Sequence, residues 1–350
     1  MSKKYFIYEN FGSDSTAATK APNDLQEIFL NNQFVDLLKI KKTNNKVIRA
    51  YYLLENSIIS ILKLKKGDIV IFQFPFATNT KFKKILLNIC KIKGVYVIFL
   101  MNDLESLRYN KDSAKIIDKE KYIDLADVII CHNNSMKNYL ISSGIDYNKL
   151  VELEIFDYLV DLNINEKKIV KPTEITIAGN LSEIKSGYIY ELIKKIRNVN
   201  INLYGPNFNP REKLGENIIY KGSVSPDRLP LEINGDFGLI WDGDSISTCS
   251  GVTGNYLRYN NPHKTSLFLV SGMPIIVWEN SAMKEFVEKK GVGLVIDDLN
   301  DLENTILKVS EEQYSAMKRN VESMSLQLRK GYYTTTAINK ALDKIDNIRK

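Results

Sequence analysis

Cysteine and histidine are scarce, with 3 and 2 in 350 residues. Cys90, Cys131 and Cys249 are odd in number, widely spaced and form no CxxC pair, which argues against a disulfide framework and a cysteine zinc site. His132 and His263 cannot make up the deficit, and no HExxH or Ser-His-Asp order suggests a hydrolase or metalloenzyme. Long apolar runs are missing too. VYVIFLM at 95–101 is short, and SLFLVSGMPIIVW at 266–278 contains Gly and Pro, so neither reaches the roughly 20 residues of a membrane span. The opening KKYFIYEN has too short an apolar core for a secretory signal, and the chain reads as cytoplasmic. Aromatic and basic residues are not interleaved as a nucleic-acid platform. No repeat of 20–50 residues and no low-complexity segment occurs.

What is present is an ordinary globular balance, 44% hydrophobic and 26% charged residues, over a length that suits two domains. Strand-like and helix-like segments alternate throughout, the signature of parallel sheets covered by helices. One series runs from KYFIYEN to DVIICHN (127–133). A second runs from EITIAGN (174–180) to GVGLVID (291–297), after the charged, turn-rich DLNINEKKIVKPT. The expected organisation is an N-terminal α/β unit at 1–165, a second at 166–312 and a helical tail at 313–350, interrupted at GYYTTT, packing back toward the first unit.

Charge is uneven within a net +6: residues 31–100 hold thirteen Lys or Arg and three acids. KFKKILLNICKIKG (81–94) can form a helix with an apolar and a basic side. It serves either as a solvated lysine-rich face or as a patch for an anionic membrane surface or acidic acceptor.

In open parallel sheets ligands bind beyond the carboxyl ends of the strands. In NPHKTSLFLVSGMPIIV (261–277), Asn261 can cap a helix, Pro262 suits its first position and Gly272 its end. Lys264 then sits in the first turn, where exposed amides carry roughly +0.5 charge and a cation is least welcome. A bound anion resolves that conflict. The other strand ends supply Asn180 with Lys185 shortly beyond, Tyr204 as an aromatic for a base to stack on, and Asp242. Asn255, Tyr256, Asn260 and Thr265 flank Lys264. Together these are parts for holding a nucleotide diphosphate, with Lys264 and Lys185 as its cations. In the first unit GSDSTAATKAP (12–22) offers Gly12, Ser13, Ser15 and Thr16 but neither GxGxxG nor GxxxxGK[ST]. Asp103, after VYVIFLM, is the candidate general base, with helix capping by Asn102 or Asp103 as its competing use. WDGDS (241–245) contains a D-x-D, read as a turn rather than a metal site. His132, between a strand and a helix, reads as local structure.

Several stretches carry a family resemblance: YENFGSDSTAATKAPNDL, NDLESLR, YIDLADVIICHNNSMKNYLISSGI, GNLSEIKSGYIY, NYLRYNNPHK and HKTSLFLVSGMPIIVWENSAMKEFVEKKGVGLVIDDLNDL. Over nearly its whole length the chain resembles glycosyltransferases of the GT-B fold, two Rossmann-like domains facing across a cleft with a C-terminal helical tail. The resemblance is to the group of glucosyltransferase 3 of serine-rich-repeat adhesin glycosylation and the β-1,6-galactofuranosyltransferases. It implies a UDP-sugar donor, a saccharide or glycopeptide acceptor, a closing cleft and homo-oligomers. It also implies donor contacts from Thr16, Lys185, Tyr204, Asp242, Tyr256 and Lys264. The two glutamates eight residues apart of many retaining GT-B enzymes are replaced by Tyr259 and Leu267, so that mechanism does not carry over.

The expectation is a metal-independent UDP-sugar transferase of the cytoplasm, at the inner membrane face if the basic segment binds lipid, moving a hexose, glucose first, with no further cofactor. The alternatives are a galactofuranosyl- or other hexosyltransferase of capsule or cell-surface glycan, and a degenerate GT-B partner subunit. A nucleotide-sugar epimerase needs more acids and histidines than this chain places near its strand ends.

Overall fold

The computed structural model describes residues 2–9, 17–38, 46–76, 78–109, 121–161 and 171–350. Two six-stranded sheets form, each parallel throughout. The first contains β1 (Lys4–Ile7), β2 (Val35–Asp36), β3 (Ile69–Phe74), β4 (Tyr96–Met101), β5 (Val128–Cys131) and β6 (Leu150–Glu152), in the order β2-β1-β3-β4-β5-β6. The second contains β7 (Glu174–Ala178), β8 (Asn200–Tyr204), β9 (Ile218–Gly222), β10 (Phe237–Ile240), β11 (Ile275–Trp278) and β12 (Gly293–Ile296), in the order β12-β11-β10-β7-β8-β9. The near-continuous apolar runs of β3 and β11 follow from burial on both faces, as parallel sheets require. Strand order reverses at β1/β3 and at β7/β10, which places a crevice beyond the carboxyl ends of those strands.

Helices α1 (Ala17–Asn31), α2 (Lys46–Lys63) and α3 (Thr80–Lys93) cover the first sheet. Leu25, Ile28 and Phe29 of α1 pack into one core on that sheet, while Leu86, Leu87 and Cys90 of α3 join Leu64, just past α2, in another. The α1-side core is completed from the far end of the chain, by Ala337, Ile338, Ala341 and Ile345 of helix Tyr332–Arg349. The preceding helix, Glu311–Leu328, instead buries Tyr314, Val321 and Leu328 in the core of the second sheet.

Three residues, ending in Gly331, separate the two helices. The φ of Gly331 is 71°, and a Cβ there would lie 2.7 Å from Cγ1 of Ile28. The rest of GYYTTT, expected as an interruption, is helical from Tyr332 onward. Asp157, in the segment joining the sheets, explains the difference. Its carboxylate accepts the amides of Tyr333 and Thr334 at 3.2 and 2.6 Å and so caps that helix.

Candidate functional site

The site grows from the β7/β10 switch point. Beyond β10, Gly243 turns the chain with φ 111°, and its amide donates to the carbonyl of Lys185 at 3.1 Å, lacing the loop after β7 to the loop after β10. Helix His263–Val270 points its first turn at this junction. Lys264 Nζ donates to the Trp241 carbonyl at 2.8 Å and to Asp242 Oδ1 at 3.0 Å. Asp242 and Lys264 are 13% and 17% exposed, so the pair is largely withdrawn from water.

Lys185 adds a second ammonium to the same carboxylate field. Burial pushes its pKa down, the charge of Asp242 opposes that, and Lys264 adds to it. The Lys185 side chain has no hydrogen bond or ion pair among the described residues, which leaves two lysines around one aspartate. Close by in sequence, Asn260 Oδ1, His263 Nε2 and Thr265 Oγ1 are buried atoms with no hydrogen-bond partner among the described residues. Such atoms cost free energy until something donates or accepts.

The first lobe faces this cluster with Asp103, just beyond β4. Asp103 is ion-paired to Arg108, and the Tyr256 hydroxyl donates to its carboxylate while accepting the Leu104 amide at 2.9 Å. Burial raises the Asp103 pKa, Arg108 and the Tyr256 hydrogen bond oppose the rise, and Glu105 adds to it. The charges of Asp103 and Arg108 are felt at Lys185, so the candidate base and the candidate donor cations form one electrostatic cluster across the cleft.

A second bridge joins the lobes at residues read differently in the sequence. Asn261 does not cap helix 263–270; Pro262 occupies the cap position without a side-chain bond. The Asn261 side chain instead donates to the carbonyls of His132 and Glu154 at 2.7 and 3.1 Å and accepts from Asn133 at 2.7 Å. His132 is no mere local element. Its Nδ1 accepts the Asn261 amide at 3.1 Å, and Nε2 lies 3.0 Å from the Met101 carbonyl, which fixes a neutral imidazole with its proton on Nε2. Burial holds its pKa down at about 4, so the bridge stays neutral at pH 7. No spacing rule reveals a contact between residues 129 positions apart.

The remaining candidates separate. Thr16, with Gly12, Ser13 and Ser15, lies outside the described residues. Asn180 is exposed and organises its loop, accepting from the Ser182 amide at 3.1 Å and from Asn207 at 3.0 Å. Asn255 is exposed and donates to the Gly251 carbonyl. The stacking role assigned to Tyr204 is corrected: its ring is 4% exposed in the second core, and its hydroxyl donates to the Glu232 carbonyl at 3.2 Å. In the D-x-D, Asp242 binds Lys264 whereas Asp244 accepts from Ser250. Among the described residues no group of three or more His, Cys, Asp and Glu could hold a metal ion. His263 packs on Tyr158, ring centroids 5.1 Å apart, and burial lowers its pKa to about 4. It therefore contributes no positive charge at pH 7.

Two family models match the chain: the glucosyltransferase 3-like N-terminal domain over residues 4–155 and the glucosyltransferase 3-like C-terminal domain over 175–341. Beta-1,6-galactofuranosyltransferase WbbI of Escherichia coli (strain K12) is 29% identical over 345 residues, covering 97% of this chain and 99% of that protein. Glucosyltransferase 3 of Streptococcus parasanguinis is 26% identical, covering 80% of each chain. Among solved structures, Anabaena Alr3699/HepE in complex with UDP and glucose superposes with a TM-score of 0.59 at 12% identity, over 97% of this chain and 99% of that one. The apo form of the lipopolysaccharide outer core galactosyltransferase WaaB gives 0.60 at 15% identity over the same shares. These likenesses match the architecture of two parallel sheets with helices on their faces. The chain is a member of the glucosyltransferase 3-like family of GT-B glycosyltransferases.

Proposed function

We propose that the protein transfers a hexose, glucose first, from a UDP-sugar to a saccharide or glycopeptide acceptor in the cytoplasm, working as a homo-oligomer and without a bound metal. The observation that carries this reading is the pair of ammonium groups, Lys185 and Lys264, around the single carboxylate of Asp242 at the start of helix 263–270. That excess of partly buried positive charge suits a diphosphate. The relatives named glucosyltransferase 3 and the HepE structures with UDP and UDP-glucose support the donor class.

In this scheme the acceptor oxygen bonds to the anomeric carbon as the bond from that carbon to the diphosphate oxygen breaks. Lys185, Lys264 and the helix amides stabilise the charge that develops on the leaving diphosphate, a preorganised electrostatic contribution. Lys264 exchanges part of its bond to Asp242 for a phosphate oxygen. Asp103 takes the acceptor hydroxyl proton in an inverting reaction, held in place by Arg108 and by the Tyr256 hydroxyl from the opposite lobe.

A second reading, transfer of galactofuranose, is favoured by the WbbI likeness across almost the whole chain. Thermal denaturation with UDP, UDP-glucose, UDP-galactofuranose, GDP and ADP, each with and without EDTA, separates the readings. Ligand at a hundredfold excess over its Kd stabilises by about 2.7 kcal/mol. Selective protection by UDP-glucose that survives EDTA supports the first reading, and protection by UDP-galactofuranose the second. Protection by UDP with no transfer to any acceptor turns the assignment to a non-catalytic partner subunit. No protection by any uridine nucleotide overturns the donor site.

A further inference from the structure

The cleft leaves the lysine-rich outer face of the first lobe without a role. α2 and α3 lie side by side there: Lys93 Nζ donates to the carbonyls of Ile61 and Leu64 at 2.6 and 3.0 Å, tying the two C-terminal ends together. Each helix buries one stripe against the sheet, Ser57, Ser60 and Leu64 from the α2 side and Lys83, Leu86 and Cys90 from α3. The opposite stripes carry aliphatic side chains into solvent. Leu62 is 73% exposed, Ile85 56% and Ile92 85%, at helical spacings that aim them outward from one surface.

The charge around this surface is predominantly positive. Lys63, Lys66 and Lys81 are exposed and have no hydrogen bond or ion pair among the described residues. Over the whole of α2 and α3 the sequence contains one acid, Glu55. Two copies of this face brought together would oppose like charges, so its charge argues against a self-interface and for a negatively charged partner. Aliphatic side chains standing among lysines on a broad helical face are suited to an interface with anionic lipid, where the apolar tips enter the headgroup boundary and the ammonium groups meet phosphate.

We propose that the α2–α3 face docks on an anionic lipid surface, with Leu62, Ile85 and Ile92 inserted and Lys63, Lys66 and Lys81 paired to lipid phosphates. The face lies on a different part of the fold from the cleft cluster and is independent of which sugar the enzyme moves.

Co-sedimentation with vesicles of one part phosphatidylglycerol to two parts phosphatidylcholine, against phosphatidylcholine alone, tests it. The full chain sediments with the anionic vesicles and stays in solution with the neutral ones. Lys63→Gln with Lys66→Gln weakens partitioning about fivefold per lysine, and Ile85→Ser with Ile92→Ser weakens it about tenfold. Both double variants keep the wild-type melting temperature. Equal sedimentation with neutral vesicles, or binding untouched by the isoleucine changes, overturns the proposal. A dimer in sedimentation velocity that Ile85→Ser with Ile92→Ser dissociates also overturns it, and assigns the face to a second copy of the chain.

Discussion

Each lobe buries lysine, and the two do so differently. In the first, Lys83 and Glu9 form an ion pair with both side chains 1% exposed, and Glu9 is completed by the amide and hydroxyl of Thr78 at 3.1 and 2.9 Å. Charge and hydrogen-bond capacity are matched, and nothing is left over for a ligand. In the second, Lys185 and Lys264 share Asp242, with unpartnered polar atoms close by in sequence at Asn260, His263 and Thr265. With Asp103, Arg108 and Glu105 included, the wider cleft is matched at three cations and three carboxylates, and the excess is local to Lys185 and Lys264 around Asp242. A balanced buried pair is architecture, whereas an unbalanced cluster is waiting for a counter-ion.

That contrast can be broken at several points. The largest loss of turnover is expected from Asp103→Asn, about 10²- to 10⁴-fold in kcat, with UDP protection retained; an unimpaired kcat would remove Asp103 as the base. Lys83→Met strands the buried Glu9 carboxylate and lowers stability by about 3–5 kcal/mol, read as a drop in melting temperature, while kcat of the folded fraction stays unchanged. Lys264→Ala does the reverse. It lowers kcat about 100- to 1,000-fold and abolishes protection by UDP, with a far smaller change in melting temperature.

Tyr256→Phe sharpens the link between lobes. Asp103 must be ionised to act, and its raised pKa places the acid limb of the kcat/KM profile above the ordinary carboxylate range. The Tyr256 hydrogen bond opposes that rise, so its loss moves the limb to higher pH, against the unchanged charges of Arg108, Glu105 and Lys185. A profile that stays in place would show that Tyr256 does not position the base. The smallest effect belongs to Tyr204→Phe, which removes one bond to the Glu232 carbonyl and costs about 1 kcal/mol of stability, with donor affinity unchanged in a UDP titration.

The two sheets were legible because parallel strands, buried on both faces, read as unbroken apolar runs. Lys264 was legible because a lysine in the first turn of a helix contradicts the local electrostatics. Tyr204 was not, because a strand end fixes the edge of the sheet and leaves the facing open. Tyr204 shares its face with Asn202, and the segment at 232–234 covers both through the carbonyls of Glu232 and Asn234. The bridge of His132, Asn133 and Asn261 was invisible for another reason: its partners meet only when the lobes do. Asn261 looked like a helix cap because a side chain that caps and one that reaches another lobe have the same chemistry.

The junction at Asp157 bears on how the molecule is made. One side of the first sheet is covered only in part, by α1, until Ala337, Ile338, Ala341 and Ile345 arrive, and the helix that carries them is capped from the segment between the lobes. A chain emerging from its N-terminus therefore carries a half-finished first lobe through the synthesis of the entire second lobe. The uncovered part of that apolar sheet face stays open to other partners throughout that interval. Helix Tyr332–Arg349 is the closing piece of the lobe made first, and that lobe is complete only when residues 337–345 have met its sheet.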